Sequence, residues 1–136
     1  MSLSLYDCSI PVFIHSLSNL NDLLEAAAQY GAEHGIEDEV LTGARLFPNM
    51  LPLTKQVQIA CDIAKRGSAR MAGIEPQTDE DTETTFDQLK ARIDKTKQFL
   101  ASIQAEAING TEDNSITMQA GPNVYTFTTR DYLNSW

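Results

Sequence analysis

Residues 116–128 read ITMQAGPNVYTFT. Ile116 and Met118 alternate with Thr117 and Gln119, and Tyr125 and Phe127 alternate with Thr126 and Thr128. Side chains of a strand point to opposite faces in turn, so a period of two marks two strands, each with one apolar face. Ala120-Gly121-Pro122-Asn123 between them has turn composition. The segment predicts a β-hairpin. A two-stranded hairpin is marginal in water by itself, so its apolar face must rest on other elements.

Upstream of Asn109-Gly110 the period is helical. In the first stretch Ile10, Phe13, Leu17, Leu20, Leu24 and Ala27 recur every three or four residues, the a/d spacing of a bundle helix. Val12, Leu23 and Tyr30 widen that face to about 160° on a helical wheel, enough to touch two neighbours. Ser9 before Pro11 suits the start, because a first turn has no use for the proline's missing N–H, and Gly31 and Gly35 are expected to close the helix. A second stripe runs Leu53, Val57, Ala60, Ala64, Gly67 and Met71, opened by Pro52 and ended by Gly73 and Pro76. Its middle is small, which admits a neighbour's backbone. Ile59 and Ile63 lie on a flank beside Arg66 and Arg70 and need a cover. The third stripe is Phe86, Leu89, Ile93, Thr96, Leu100 and Ile103, with Lys90 and Asp94 expected to pair on its wet face.

Between these stretches, Arg45 to Pro52 holds two prolines and four large apolar residues and is expected to pack over the bundle end. Thr78-Asp79-Glu80-Asp81-Thr82-Glu83 has the composition of a helix cap and first turn, where the helix dipole favours negative charge. After the hairpin, Thr129 is the expected N-cap of a last helix of two turns, Arg130 to Trp136.

The chain's 136 residues fit one domain, residues 1–136. With 19 acidic against 10 basic residues the net charge is −9, which argues against nucleic acid and anionic lipid as partners. The longest apolar run, Ile10 to Ile14, is far short of the about 20 residues a spanning helix needs. MSLSLYDC lacks a basic and an apolar signal region, so a cytoplasmic location is expected. Cys8 and Cys61 form no CxxC pair and read as reduced thiols. With His15 and His34 they cannot supply four closely spaced zinc ligands.

Several stretches carry a family resemblance: SLYDCSIPVF (4–13), ARLFPNM (44–50), PLTKQVQIACD (52–62), DTETTF (81–86), RIDKT (92–96) and RDYL (130–133). In order and over nearly the whole chain, they resemble an uncharacterised bacterial and fungal family within the DinB/YfiT-like superfamily. The resemblance implies an all-α, up-down four-helix bundle with a β-hairpin before helix four, here with the fourth helix truncated. Superfamily members of known activity resemble metal-dependent thiol transferases and isomerases, whose three histidines sit near the start of the second helix and as an HxxxH pair on the fourth. Here Gln56 or Gln58 stands at the approximate second-helix position, and Arg130 to Trp136 has no histidine. A neutral amide is a weak ligand. No metal and no other cofactor are therefore expected.

The residues that look most like a ligand site are Arg45, Gln56 and Gln58, with the Arg45 fork suited to a small anionic ligand at the bundle mouth. The competing reading of Arg45 is that it bonds loop carbonyls or Asp7. Asp62 among Lys55, Lys65 and Arg66 reads as a solvated charge. No catalytic residues are identified. The functional expectation is a non-catalytic domain acting by association or small-ligand binding. The alternative is a thiol- or small-molecule-transforming enzyme with an altered metal site. A short fourth helix leaves one flank open, which predicts a homodimer through that flank or through the Ile59 and Ile63 face, the alternative being a natural chain that continues past Trp136 and covers the flank itself.

Overall fold

The computed structural model describes residues 2–135. The chain is mostly helical, with a small antiparallel sheet. Three long helices are α1 (Ile10–His34), α3 (Leu53–Ala72) and α4 (Phe86–Ser102). The unpredicted short helices are α2 (Asp38–Thr42) and α5 (Ala105–Ile108). β1 (Ser115–Ala120) and β2 (Asn123–Thr128) precede α6 (Thr129–Ser135). The strands make a true sheet, so a strictly all-α description does not hold.

Helix ends follow local chemistry. Gly35 takes a left-handed φ of 65°, and its N–H and that of Ile36 return to the Gly31 carbonyl, so Gly35 alone closes α1. Gly31 remains inside the helix, where an added Cβ would stand 3.0 Å from Leu41 Cδ1. Thr85 and Gln88 form a reciprocal capping box at α4. The acidic run before it is therefore neither cap nor first turn, for helix geometry starts only at Phe86. At α6 the Asp131 N–H bonds Thr128 Oγ1, so Thr128 is the cap and Thr129 lies in the helix. The expected end of that helix, Trp136, lies outside the described residues.

The core takes one residue per heptad from α1 (Ile10, Leu17, Leu24) and joins it to Val57, Cys61 and Met71 of α3 and to Phe86, Leu89, Ile93 and Leu100 of α4. Phe13, Leu20 and Ala27, the other half of the α1 stripe, are only partly buried. The hairpin has the expected register, with Ile116 opposite Phe127 and Met118 opposite Tyr125. Gly121, at φ 58°, supplies the positive φ that a two-residue hairpin loop requires.

Charge decides the path from α3 to α4. Residues 79–83 run extended across both helices, and alternate carboxylates turn inward. Asp79 meets Lys65 at 2.7 Å and also Lys95, and Asp81 meets Lys55 at 2.6 Å. The Arg92 side chain, 2% exposed, reaches Asp62 and Asp81 at 3.0 Å and Glu83 at 3.1 Å. Asp62 is thus an ion-pair partner and not a solvated charge. Likewise Lys90 bonds Glu25 of α1 at 2.6 Å, with Asp87 at 3.4 Å, in place of Asp94. The 45–52 loop does not pack over the bundle end: Leu46 is 92% and Phe47 62% exposed.

Burial lowers the proton affinity of Arg92, but hydrogen bonds to Glu83 and Asp62 outweigh it and hold the guanidinium firmly charged. Removing Arg92 leaves three carboxylates around an empty site. Arg92→Met is expected to cost about 3 kcal/mol in denaturant unfolding, and Asp81→Asn, at the more exposed rim, less than about 1 kcal/mol. Hydrogen bonds from Lys65 and Lys95 pull the Asp79 carboxyl from its ordinary value near 3.8 down to about 2. A depressed folded pKa stabilises above the unfolded value, and that contribution is lost as pH falls from about 4 toward 2. Thermal unfolding across this range should show the loss, about 1–2 kcal/mol of it removed by Asp79→Asn.

Candidate functional site

The three residues singled out in the sequence do not converge. Arg45 donates to the carbonyls of Pro48 at 3.4 Å and Met50 at 3.1 Å, and Gln56 donates to Leu51 O at 3.4 Å. Both hold the 45–52 loop in shape. Gln58 lies two residues from Gln56, hence on the far side of α3, because i and i+2 do not share a helix face. There its amide donates to Glu83 Oε2 at 2.8 Å, and its own Oε1 is buried without a partner among the described residues.

The concave surface lies elsewhere, between α1, α3 and α6. On α1 the arc from Ile10 through Leu17 and Leu20 to Ala26 spans about 200° and carries no Asp, Glu, Lys or Arg. The helix's acids, Asp22, Glu25 and Glu33, stand outside it. α3 and α4 fill only part of this arc, and Leu23 (67%) and Tyr30 (52%) stay exposed. α3 answers with Ala60, Ala64 and Gly67, whose short side chains leave a trough. α6 closes one end of it: Tyr132 OH sits 3.6 Å from where a Gly67 Cβ would be. The remaining cavity is about 320 Å³ and is floored by Leu17, Leu20, Ala64 and Met71. That is the lower end of the range for small-molecule sites, and the walls are almost wholly apolar.

A second cavity of about 290 Å³ adjoins it, and Ile63 and Tyr132 line both. Its polar groups are Asp62, Arg66, Arg70, Gln119 and the Tyr132 hydroxyl. Arg70 Nη1 donates to Tyr132 Oη at 3.1 Å, and Arg66 lies 3.7 Å from Asp62. The sequence placed Ile59, Ile63, Arg66 and Arg70 on one flank, and the structure keeps them there. Tyr132 was missed. Its one signal was a large aromatic two residues into the last helix, facing a helix with glycine and alanine at its centre.

Neither a cysteine nor a histidine lines the two cavities. Burial pushes the Cys61 thiol up, against a hydrogen bond from Thr96 and the Arg92 charge that act the other way. A thiol held protonated is a poor nucleophile. His15 is exposed beside Asn19, and His34 stacks on Tyr30 with ring centroids 4.1 Å apart. Among the described residues, no three His, Cys, Asp or Glu side chains come together in a way that would hold a metal ion. The donors at the second-helix position, Gln56 and Gln58, point apart and do not fit the three-histidine site of the superfamily.

The family-level comparisons agree with the motifs. A family model described as a domain of unknown function (DUF1993) matches residues 5–136, and the chain belongs to that family. Its fold is similar to that of a DinB family member protein from Shewanella denitrificans, with a TM-score of 0.84 and 27% sequence identity over 96% of this chain and 74% of that chain. No curated protein matches.

Gly67 tests how closely α6 is seated. A Cβ there would make only ordinary contact with Tyr132 at 3.6 Å, while alanine relieves the entropic cost of a mid-helix glycine. Gly67→Ala should stabilise the protein by about 0.5–1 kcal/mol in a melting experiment. Gly67→Leu should displace Tyr132 and destabilise it.

Proposed function

We propose that this protein acts by binding and not by catalysis, and that the trough between α1, α3 and α6 is where an apolar group is held. In this reading α6 stands at the beginning of the fourth helix of a DinB-like bundle, and the protein works in the cytosol with Cys8 and Cys61 as free thiols. The supporting observation is the uncharged arc of α1, which is wider than its two helical neighbours cover and which forms one wall of an open, apolar cavity. A solvent-sensitive apolar dye should bind near one equivalent with enhanced emission. Ala60→Trp, on the half-buried wall of the trough, should abolish the signal while the helical far-ultraviolet signal is kept. Dye binding unchanged in that variant would refute the site.

The exposed Leu23 and Tyr30, with Ile59 and Ile63 on α3, support a second mode, self-association as a homodimer. Light scattering is then expected to give twice the chain mass of 15.0 kDa. Ile59→Asp yields monomer if the outer face of α3 is the contact, and leaves the dimer intact if the open flank is. Stoichiometric zinc or nickel in the purified protein would overturn the non-catalytic reading in favour of an enzyme with an altered metal site.

A further inference from the structure

Cations are scarce in this chain, and most are paired with a carboxylate. Of the ten, every one except Arg45, Arg70 and Lys97 has a carboxylate within ion-pair reach among the described residues. Arg45 is held by loop carbonyls. Arg70 differs in its position: half-buried, it lines the polar cavity and is bonded to the hydroxyl of Tyr132, which lines the apolar cavity as well. Ile63, Arg66 and Arg70 follow at i, i+3 and i+7 and so share one face of α3. Arg66 faces the same polar cavity, and its neighbour Asp62 is itself held by Arg92 at 3.0 Å. A guanidinium in a chain of net charge −9, with no carboxylate in ion-pair reach among the described residues, is matched to an anion from outside.

Resting on the binding reading above, we propose that the site takes a single-chain anionic amphiphile, its hydrocarbon chain in the trough and its acidic head against Arg70 and Arg66. The trough runs beside α1 from Phe13 to Leu20, about 10 Å of helix, which suits a chain of medium length. The polar groups around the head are the Arg70 and Arg66 guanidinium groups, the Tyr132 hydroxyl, the Gln119 amide and the Asp62 carboxylate, the last already paired with Arg92 at 3.0 Å. A carboxylate and a phosphate head share this chemistry.

Calorimetric titration with decanoate, decyl phosphate, decanol and inorganic phosphate tests it. The two anionic amphiphiles should bind at one equivalent, at least about tenfold more tightly than decanol, and inorganic phosphate should not bind measurably. The tighter of the two identifies the head. Arg70→Met should remove the advantage of the anions over decanol, and Arg70→Lys should restore part of it. Tyr132→Phe, which loses the same hydrogen bond and one neutral contact to the head but keeps the charge, should lose only a minor part of the advantage and so separates loss of charge from loosening of α6. Equal binding of decanol and the anions, unchanged in Arg70→Met, overturns the anionic head while leaving the apolar site intact. Failure of decanol and the anions alike overturns both.

Discussion

One buried guanidinium organises the half of the molecule built from α3 and α4. Arg92 projects from α4 and meets Asp62 of α3 and Asp81 and Glu83 of the connecting segment, so three separate stretches of chain share a single charge. Desolvating such a group is expensive unless its donors are well used, and here the partners exceed its charge. The consequence is positional. The connection between two helices has no helical or sheet hydrogen bonds over residues 79–83, and ion pairs fix its course instead. They also set how far α3 and α4 lie apart, and hence how α3 presents its small-residue face to α1.

The sequence was legible where one element decided its own form. The three heptad stripes, the alternation in 116–128 and the turn around Gly121 are local patterns, and each appears where it was expected, although α1 fully buries only half its stripe and Tyr125 of β2 stays 39% exposed. The acidic run 78–83 was misread because two structures share its composition. Asp, Thr and Glu favour a helix start, but acids at every second position also suit an extended segment lying on a basic surface. The deciding signal lay at a distance, in Lys55, Gln58, Asp62 and Lys65 repeating at three and four residues along α3. The Leu46 and Phe47 loop was misread for a different reason. Apolar composition shows that burial would be favourable, but Arg45 and the two prolines fix a loop shape that holds those side chains in water.

The site was legible only in part. The wide apolar face of the first helix implied more neighbours than one, and the open trough is what that excess leaves. Arg45, Gln56 and Gln58 were grouped by closeness along the chain. A helix rotates Gln56 and Gln58 to opposite sides, and Arg45 satisfies its own loop. The residues the fold does bring together, Gly67, Arg70 and Tyr132, are 62 positions apart at their widest hydrogen bond, a separation that local pattern does not span.

The hairpin and α6 have a dynamic consequence. Their strands pair mainly with each other, and α6 packs on the strands and on the Gly67 region of α3, with Phe127 edge-on to Tyr132 at 6.1 Å. Residues 115–135 are held to the helices through Ile116, Met118 and Tyr132, which belong to the core cluster, and a hairpin-and-helix unit of this kind is expected to open at lower free energy than the three long helices. Tyr132 belongs to this unit and also walls the trough. Amide protons of β1, β2 and α6 would then exchange through a sub-global opening that leaves α1, α3 and α4 intact, and each opening would admit or release whatever the trough contains.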